Sequence, residues 1–145
     1  MMFTLIRIAV GAVFLVSGVE KLLSPYQNFL YAIQAYQLLP GWAEDLTARV
    51  FPWIETFGGL FTLLGLWTSW ALKSVLVMTT VFITVVGQAL LRGIPIDQCG
   101  CFGELMHVPP QTIIVFDSVM LLFTMFLLRY PSKISQLSLD RYFSK

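Results

Sequence analysis

The sequence predicts an all-α integral membrane protein, a bundle of four transmembrane helices with a short interfacial helix between helices 1 and 2. Three observations carry this prediction. First, of 145 residues 57 % are hydrophobic and 12 % charged, and the mean hydropathy is +0.79. The charged share is about half that of an ordinary soluble domain. A soluble chain of this size cannot hide so much apolar surface, and disorder is excluded by the same abundance. Second, four apolar runs of about 17–20 residues are present, each enough to cross a hydrocarbon core of roughly 30 Å as a helix. Third, no alternating ten-residue pattern marks a membrane barrel, and lipid cannot satisfy the backbone of loose strands. A single membrane domain accounts for residues 1–145.

The first run covers residues 3–19 and is broken only by Arg7, whose stem is expected to carry the charge to the cytoplasmic headgroups. No positive residue precedes the run, so it reads as a retained span rather than a signal peptide. Ser24-Pro25 reads as an N-cap followed by proline at the first helical position. In residues 26–39, Phe29, Leu30 and Ile33 share one face and Gln27, Tyr31 and Gln34 another. That pattern suits a helix lying in the interface, closed by Pro40-Gly41. Residues 43–49 extend the second span into the headgroups. The span itself covers 50–67, with Glu55 inside and Pro52 as a kink. The third span is 72–91, with Gln88 near its end, and a cysteine-bearing loop fills 92–110. Pro109-Pro110 opens the fourth span, 111–130, which contains Asp117, and Pro131 closes it before a polar tail, 132–145. Gly11 and Gly18, and likewise Gly58 and Gly65 with Thr62 between them, form stripes that let helix backbones approach.

Lys and Arg set the orientation. Arg7, Lys73, Arg129, Lys133, Arg141 and Lys145, six of the nine, fall on the side of both termini. That side is expected to be cytoplasmic, in the inner membrane of a bacterium, with the cysteine loop periplasmic. Trp42 and Trp53 are placed at the outer ends of spans, Trp67 and Trp70 at the inner ends, as an aromatic belt. A net charge of +1 without a basic stripe excludes nucleic-acid binding. The lipid bilayer is the expected partner.

Cys99 and Cys101, the two cysteines of the chain, are separated by one glycine. A disulfide between them closes a tight ring that glycine makes feasible. Such a bond staples almost nothing, whereas a strained, exposed disulfide is readily reduced. The pair therefore points to redox chemistry, with two alternatives open: inert thiols, or a soft-metal site for copper(I) or zinc completed by His107. His107 reads as a solvated loop residue, or as a group that tunes a thiolate together with Arg92.

Ionisable groups inside the spans form a second candidate cluster. Glu55 lies five residues below Val50, about 7.5 Å, and Asp117 six below Gln111, about 9 Å. Gln88 lies four before Arg92, about 6 Å, and Glu20 and Lys21 end the first span at or just above that layer. A charge at mid-membrane costs roughly 2.5–3.5 kcal/mol, so such groups face the bundle and find partners. Two readings follow: a proton-handling pocket beneath the cysteine loop, or interhelical pairing of Glu55 or Asp117 with Arg92 or Lys21. No phosphate loop, zinc helix or nucleophile elbow is present, and one loop histidine does not make a haem site.

Gly11-Ala12-Val13-Phe14-Leu15-Val16-Ser17-Gly18-Val19-Glu20-Lys21-Leu22 resembles the first-helix signature of DoxX-like membrane proteins. Glu55 with Gly58-Gly59 and Gly65 resembles their second helix. Cys99-Gly100-Cys101-Phe102-Gly103 is similar to the cysteine motif of the MauE branch. The resemblance covers nearly the whole chain. It implies a four-helix inner-membrane protein associated with redox. MauE proteins are tied to maturation of a disulfide-rich periplasmic subunit of methylamine dehydrogenase, and DoxX and DoxD relatives to sulfur oxidation and quinone reduction. Membrane thiol oxidases of the DsbB and vitamin K epoxide reductase types use two cysteine pairs, whereas this chain has one. The expected activity is thus thiol–disulfide exchange between a periplasmic protein and Cys99/Cys101, with a quinone as cofactor and Glu55, Gln88, Asp117, Glu20 and Lys21 handling protons. The alternative is a metal-handling or assembly factor binding through Cys99, Cys101 and His107. The direction of electron flow is not set by the residues.

Overall fold

The computed structural model describes residues 1–94 and 109–130 of the chain. Among these there are five helices and no strands: α1 (Met2–Leu23), α2 (Tyr26–Ala35), α3 (Gly41–Leu64), α4 (Thr68–Leu91) and α5 (Pro110–Arg129). Three of them, α1, α4 and α5 from Gln111, are long and apolar enough to cross a membrane. At 24 residues, α3 is about 36 Å long. Glu44, Asp45, Arg49 and Glu55 make it more polar than the other three.

The bundle exposes large apolar side chains and encloses polar groups alongside its apolar core. Leu5, Val16, Val77, Val81, Leu122 and Phe123 face outward, whereas Arg7, Ser17, Lys21, Glu55, Thr62, Thr79 and Thr124 are buried. Hydrocarbon outside and polar groups inside is the arrangement lipid demands. Two of the buried hydroxyls bond within their own helices: Thr79 Oγ1 donates to Val75 O and Thr124 Oγ1 to Met120 O, both at 2.8 Å. Arg7 is only 2 % exposed. It is enclosed by the bundle rather than extended along lipid toward the headgroups.

The most extensive contact joins α1 and α3, which run antiparallel. Glycine makes it possible. A Cβ on Gly11 would stand 2.5 Å from Leu63 N, and one on Gly18 2.6 Å from Thr56 N. On α3 the matching position is Gly59, where a Cβ would strike the backbone of Phe14 and Leu15. The stripe expected at Gly58 and Gly65 is therefore displaced by one residue. Gly58 meets only Val75 at 3.9 Å, and Gly65 instead ends α3 in the left-handed conformation, φ 71°. Leu66 N–H then donates to Phe61 O (3.0 Å), and α4 begins after Trp67.

Helix limits differ from the sequence expectations at several ends. α3 begins at Gly41: residues 43–49 extend the helix ahead of the 50–67 span, as expected, and Gly41 and Trp42 add to it. Trp53 consequently sits mid-helix and exposed. α2 stops at Ala35 instead of residue 39. Ser24 caps the C-terminus of α1, and its hydroxyl donates to Glu20 Oε1 (2.9 Å). Pro25, not Ser24, is then the N-cap of α2. Pro109 and Pro110 open α5 as expected; Pro131 and the tail lie outside the described residues.

The register sets the site. With Gly18 against Thr56, the last residues of α1 lie beside the middle of α3, so the first ten or so residues of α3 project beyond α1. α2 packs on that projection. Phe29 meets Phe51 at 5.9 Å between ring centroids, and Tyr26 Oη donates to Asp45 (3.1 Å). At the opposite end of the bundle, Phe3, Phe126 and Tyr130 form an aromatic cluster with centroids 5.3–5.8 Å apart.

Candidate functional site

Where α1 ends against α3, Lys21 and Glu55 form a buried ion pair. Lys21 Nζ lies 2.9 Å from Glu55 Oε2 and 3.2 Å from Oε1, and their side chains are 2 % and 7 % exposed. Lys21 also donates to Ser17 Oγ, one turn earlier on α1, at 2.7 Å. Phe29 of α2 covers the ammonium from the other side, its ring centroid 5.6 Å away. Two hydrogen-bond acceptors and one aromatic face thus replace the water that the ammonium gives up.

The pair is set in the wall of a cavity of about 40 Å³ bounded by all four long helices. Ser17 and Lys21 come from α1, Glu55 from α3, Thr79 from α4 and Asp117 from α5. The volume admits roughly two or three waters, and the wall offers enough polar groups to hold them. The charges of Glu55 and Lys21 both act on Asp117. Among the described residues no hydrogen bond or ion pair engages its carboxyl. Three ionisable groups from three helices, a net charge of −1 with both acids ionised, therefore share one small cavity.

A second cavity, about 360 Å³, lies under α2. Its lining is almost wholly apolar and includes the rings of Phe29 from α2, Tyr36 that caps its C-terminus, Phe51 from α3 and Phe82 from α4, with Thr47. Phe51 and Phe82 line both cavities and form the partition between them.

The sequence-derived candidates thus separate. Lys21, Glu55 and Asp117 come together. Glu20 is half-buried near the end of α1, beside Ser24, and does not line the cavity. Gln88 and Arg92 are exposed, Gln88 on the outer face of α4 and Arg92 at its C-terminus. Of the pairings expected between helices, Glu55 with Lys21 is the one formed. Cys99, Cys101 and His107 lie outside the described residues. Among the described residues no cluster of His, Cys, Asp and Glu is arranged to hold a metal. Sequence reasoning missed Ser17, Thr79 and the four rings. Ser17 was legible in hindsight, since it precedes Lys21 by four and shares its face.

Several helices of membrane length, apolar outside and enclosing charge, define a multi-pass membrane protein with an internal polar site. The chain belongs to the MauE family: the model described as methylamine utilisation protein MauE matches residues 1–130. Searches of curated proteins and of solved structures return no significant match.

Proposed function

We propose that the chain is a thiol–disulfide redox protein of the bacterial inner membrane, acting on a periplasmic partner through Cys99 and Cys101. The Cys-Gly-Cys motif in a MauE-family membrane protein is the observation that carries this reading. In this reading α3 is a fourth span, both termini are cytoplasmic, α2 lies at the outer interface and the cysteine loop is periplasmic. The family description, methylamine utilisation, is what favours a partner from that process in this reading.

A partner thiolate attacks one sulfur of the Cys99–Cys101 disulfide, and the other sulfur leaves as a thiolate. The partner's second thiol resolves the mixed disulfide. The partner gains a disulfide, and Cys99 and Cys101 take up the two electrons and two protons. Restoring their disulfide needs an acceptor of two electrons and two protons, the chemistry a membrane quinone supplies when bound. Two carboxyls and an ammonium on a cavity wall, beside an apolar chamber, are groups that fit such an acceptor. Asp117 and Glu55 hold and pass protons at their carboxyl oxygens, and Lys21 limits how much negative charge the pocket carries. In the reverse direction the same residues serve a reductant.

Trapping thiols with a mass-shifting alkylating reagent in native membranes tests the reading. The pair is expected to be oxidised, and to turn reduced when quinone is depleted. A pair that stays reduced in both conditions sinks it. Cys99→Ser or Cys101→Ser abolishes partner oxidation, whereas His107→Ala leaves it within about threefold; the reverse ranking, with bound copper or zinc in the purified protein, supports the metal-handling alternative. Asp117→Asn is expected to slow re-oxidation of the pair by about tenfold or more. Its stability should stay within about 1 kcal/mol of the parent, as read by unfolding in mixed micelles.

A further inference from the structure

We propose that the chamber between α2, α3 and α4 seats the isoprenoid hydrocarbon of a membrane quinone, with Phe51 and Phe82 as the partition between that hydrocarbon and the Lys21–Glu55–Asp117 cavity. The inference rests on the redox reading above and adds to it a site, an occupant and the residues that form it.

Size and chemistry argue for a hydrocarbon occupant. At about 360 Å³ the chamber falls within the range of small-molecule sites. Water gains little there, because among the described residues Thr47 and Tyr36 bear the only side-chain hydroxyls in its lining. Apolar cavities of about 150 Å³ already take up benzene while staying dry.

The lining narrows the occupant further. Four aromatic rings, Phe29, Tyr36, Phe51 and Phe82, offer flat faces to an unsaturated chain and a ring. Among the described residues no Lys or Arg lines the chamber to meet a phosphate. A phospholipid would bring a phosphate that the chamber leaves unpaired, whereas a quinone brings carbonyls. Ionisable groups stand just beyond the partition, since Phe51 and Phe82 line both spaces. The roof of the chamber is α2, and the same helix covers Lys21 through Phe29. Chamber and ion pair are therefore built against one short helix.

Photolabelling of the purified full-length protein, with a short-chain quinone carrying a photoreactive diazirine on its isoprenoid tail and peptide mapping by mass spectrometry, tests the assignment. Label is expected on the α2 and α4 peptides that carry Ile33, Tyr36, Phe82 and Val85, and to be displaced by unlabelled quinone. Filling the chamber from either wall, with Ala32→Phe or Val85→Phe, is expected to lower labelling by about tenfold or more. Val77→Phe, on the outer face of α4, leaves it unchanged. Unfolding in mixed micelles shows whether each variant is folded. Labelling confined to other peptides, while the cysteine pair still responds to quinone depletion, overturns the chamber and spares the redox reading. A phospholipid retained through purification and lost in both filled variants, without quinone labelling, also overturns it. A cysteine pair indifferent to quinone sinks the redox reading, and displaceable label in the chamber then supports quinone binding on its own.

Discussion

Lys21→Ala is expected to destabilise the protein by about 3–5 kcal/mol, the range for breaking a buried ion pair from one side. The loss arises less from the missing attraction than from what remains. Glu55 would keep its charge at a buried site, on the wall of a small cavity that Asp117 and Ser17 also line. Glu55→Ala has a comparable effect, because the Lys21 ammonium loses its carboxylate while staying buried beside Ser17 and the Phe29 ring. Replacing both partners with methionine removes both charges and keeps the volume, which commonly restores or exceeds the original stability. Unfolding of the single and double variants in mixed micelles supplies the cycle. A Lys21→Ala loss below about 0.5 kcal/mol would show that the pair does not stand in a dry interior. The double variant also separates structure from function. If the pair only joins α1 to α3, the doubly substituted protein regains redox turnover along with stability. The proposed function predicts that stability returns and re-oxidation of Cys99 and Cys101 does not.

Two adjacent glycines should respond to the same substitution with opposite signs. Gly59→Ala places a methyl against the backbone of Phe14 and Leu15, where no side chain can rotate away. The helices must separate, and the register that brings Lys21 to Glu55 is lost with them. A destabilisation of about 1–3 kcal/mol or more is expected, the range for overpacking a tight contact. Gly58→Ala places its methyl at an ordinary distance, 3.9 Å, from Val75 Cγ2. It removes the conformational freedom of a glycine within a helix and is expected to stabilise by about 0.5–1 kcal/mol. Equal effects at the two positions would refute the close α1–α3 approach. Gly18→Ala should follow Gly59→Ala, since it meets Thr56 in the same way.

The element pattern was legible along the chain because lipid leaves little choice. Long apolar runs in hydrocarbon must close their backbone bonds within themselves, so a run of the right length is a helix. Prolines marked the start of α5, and the small residues of α1 marked a packing face. The limits of α3 were less legible. Its first turns carry Glu44, Asp45 and Arg49, which read as an extension of the helix into the headgroups; the pattern did not show that they support α2 through Tyr26 and the Asp45–Arg49 pair, 3.0 Å apart.

The site divides along the same line. Composition and spacing alone singled out Lys21, Glu55 and Asp117, because an ionisable residue within an apolar run is costly wherever the run lies. Depth estimates along each helix set them in one layer, but depth does not define azimuth. Gln88 was placed in that layer too, and α4 turns it outward. Which of Gly58 and Gly59 touches α1 is likewise a question of about 100° of helix rotation. The sequence determined that the protein lives in a membrane, that it carries charge there, and that its cysteines form one close pair. Only the tertiary structure decided that Lys21 pairs with Glu55 and not Asp117, and that four aromatic rings on or capping three helices enclose an apolar chamber beside them. Those choices depend on how each helix is turned about its own axis, which close packing between helices settles and the linear pattern does not encode.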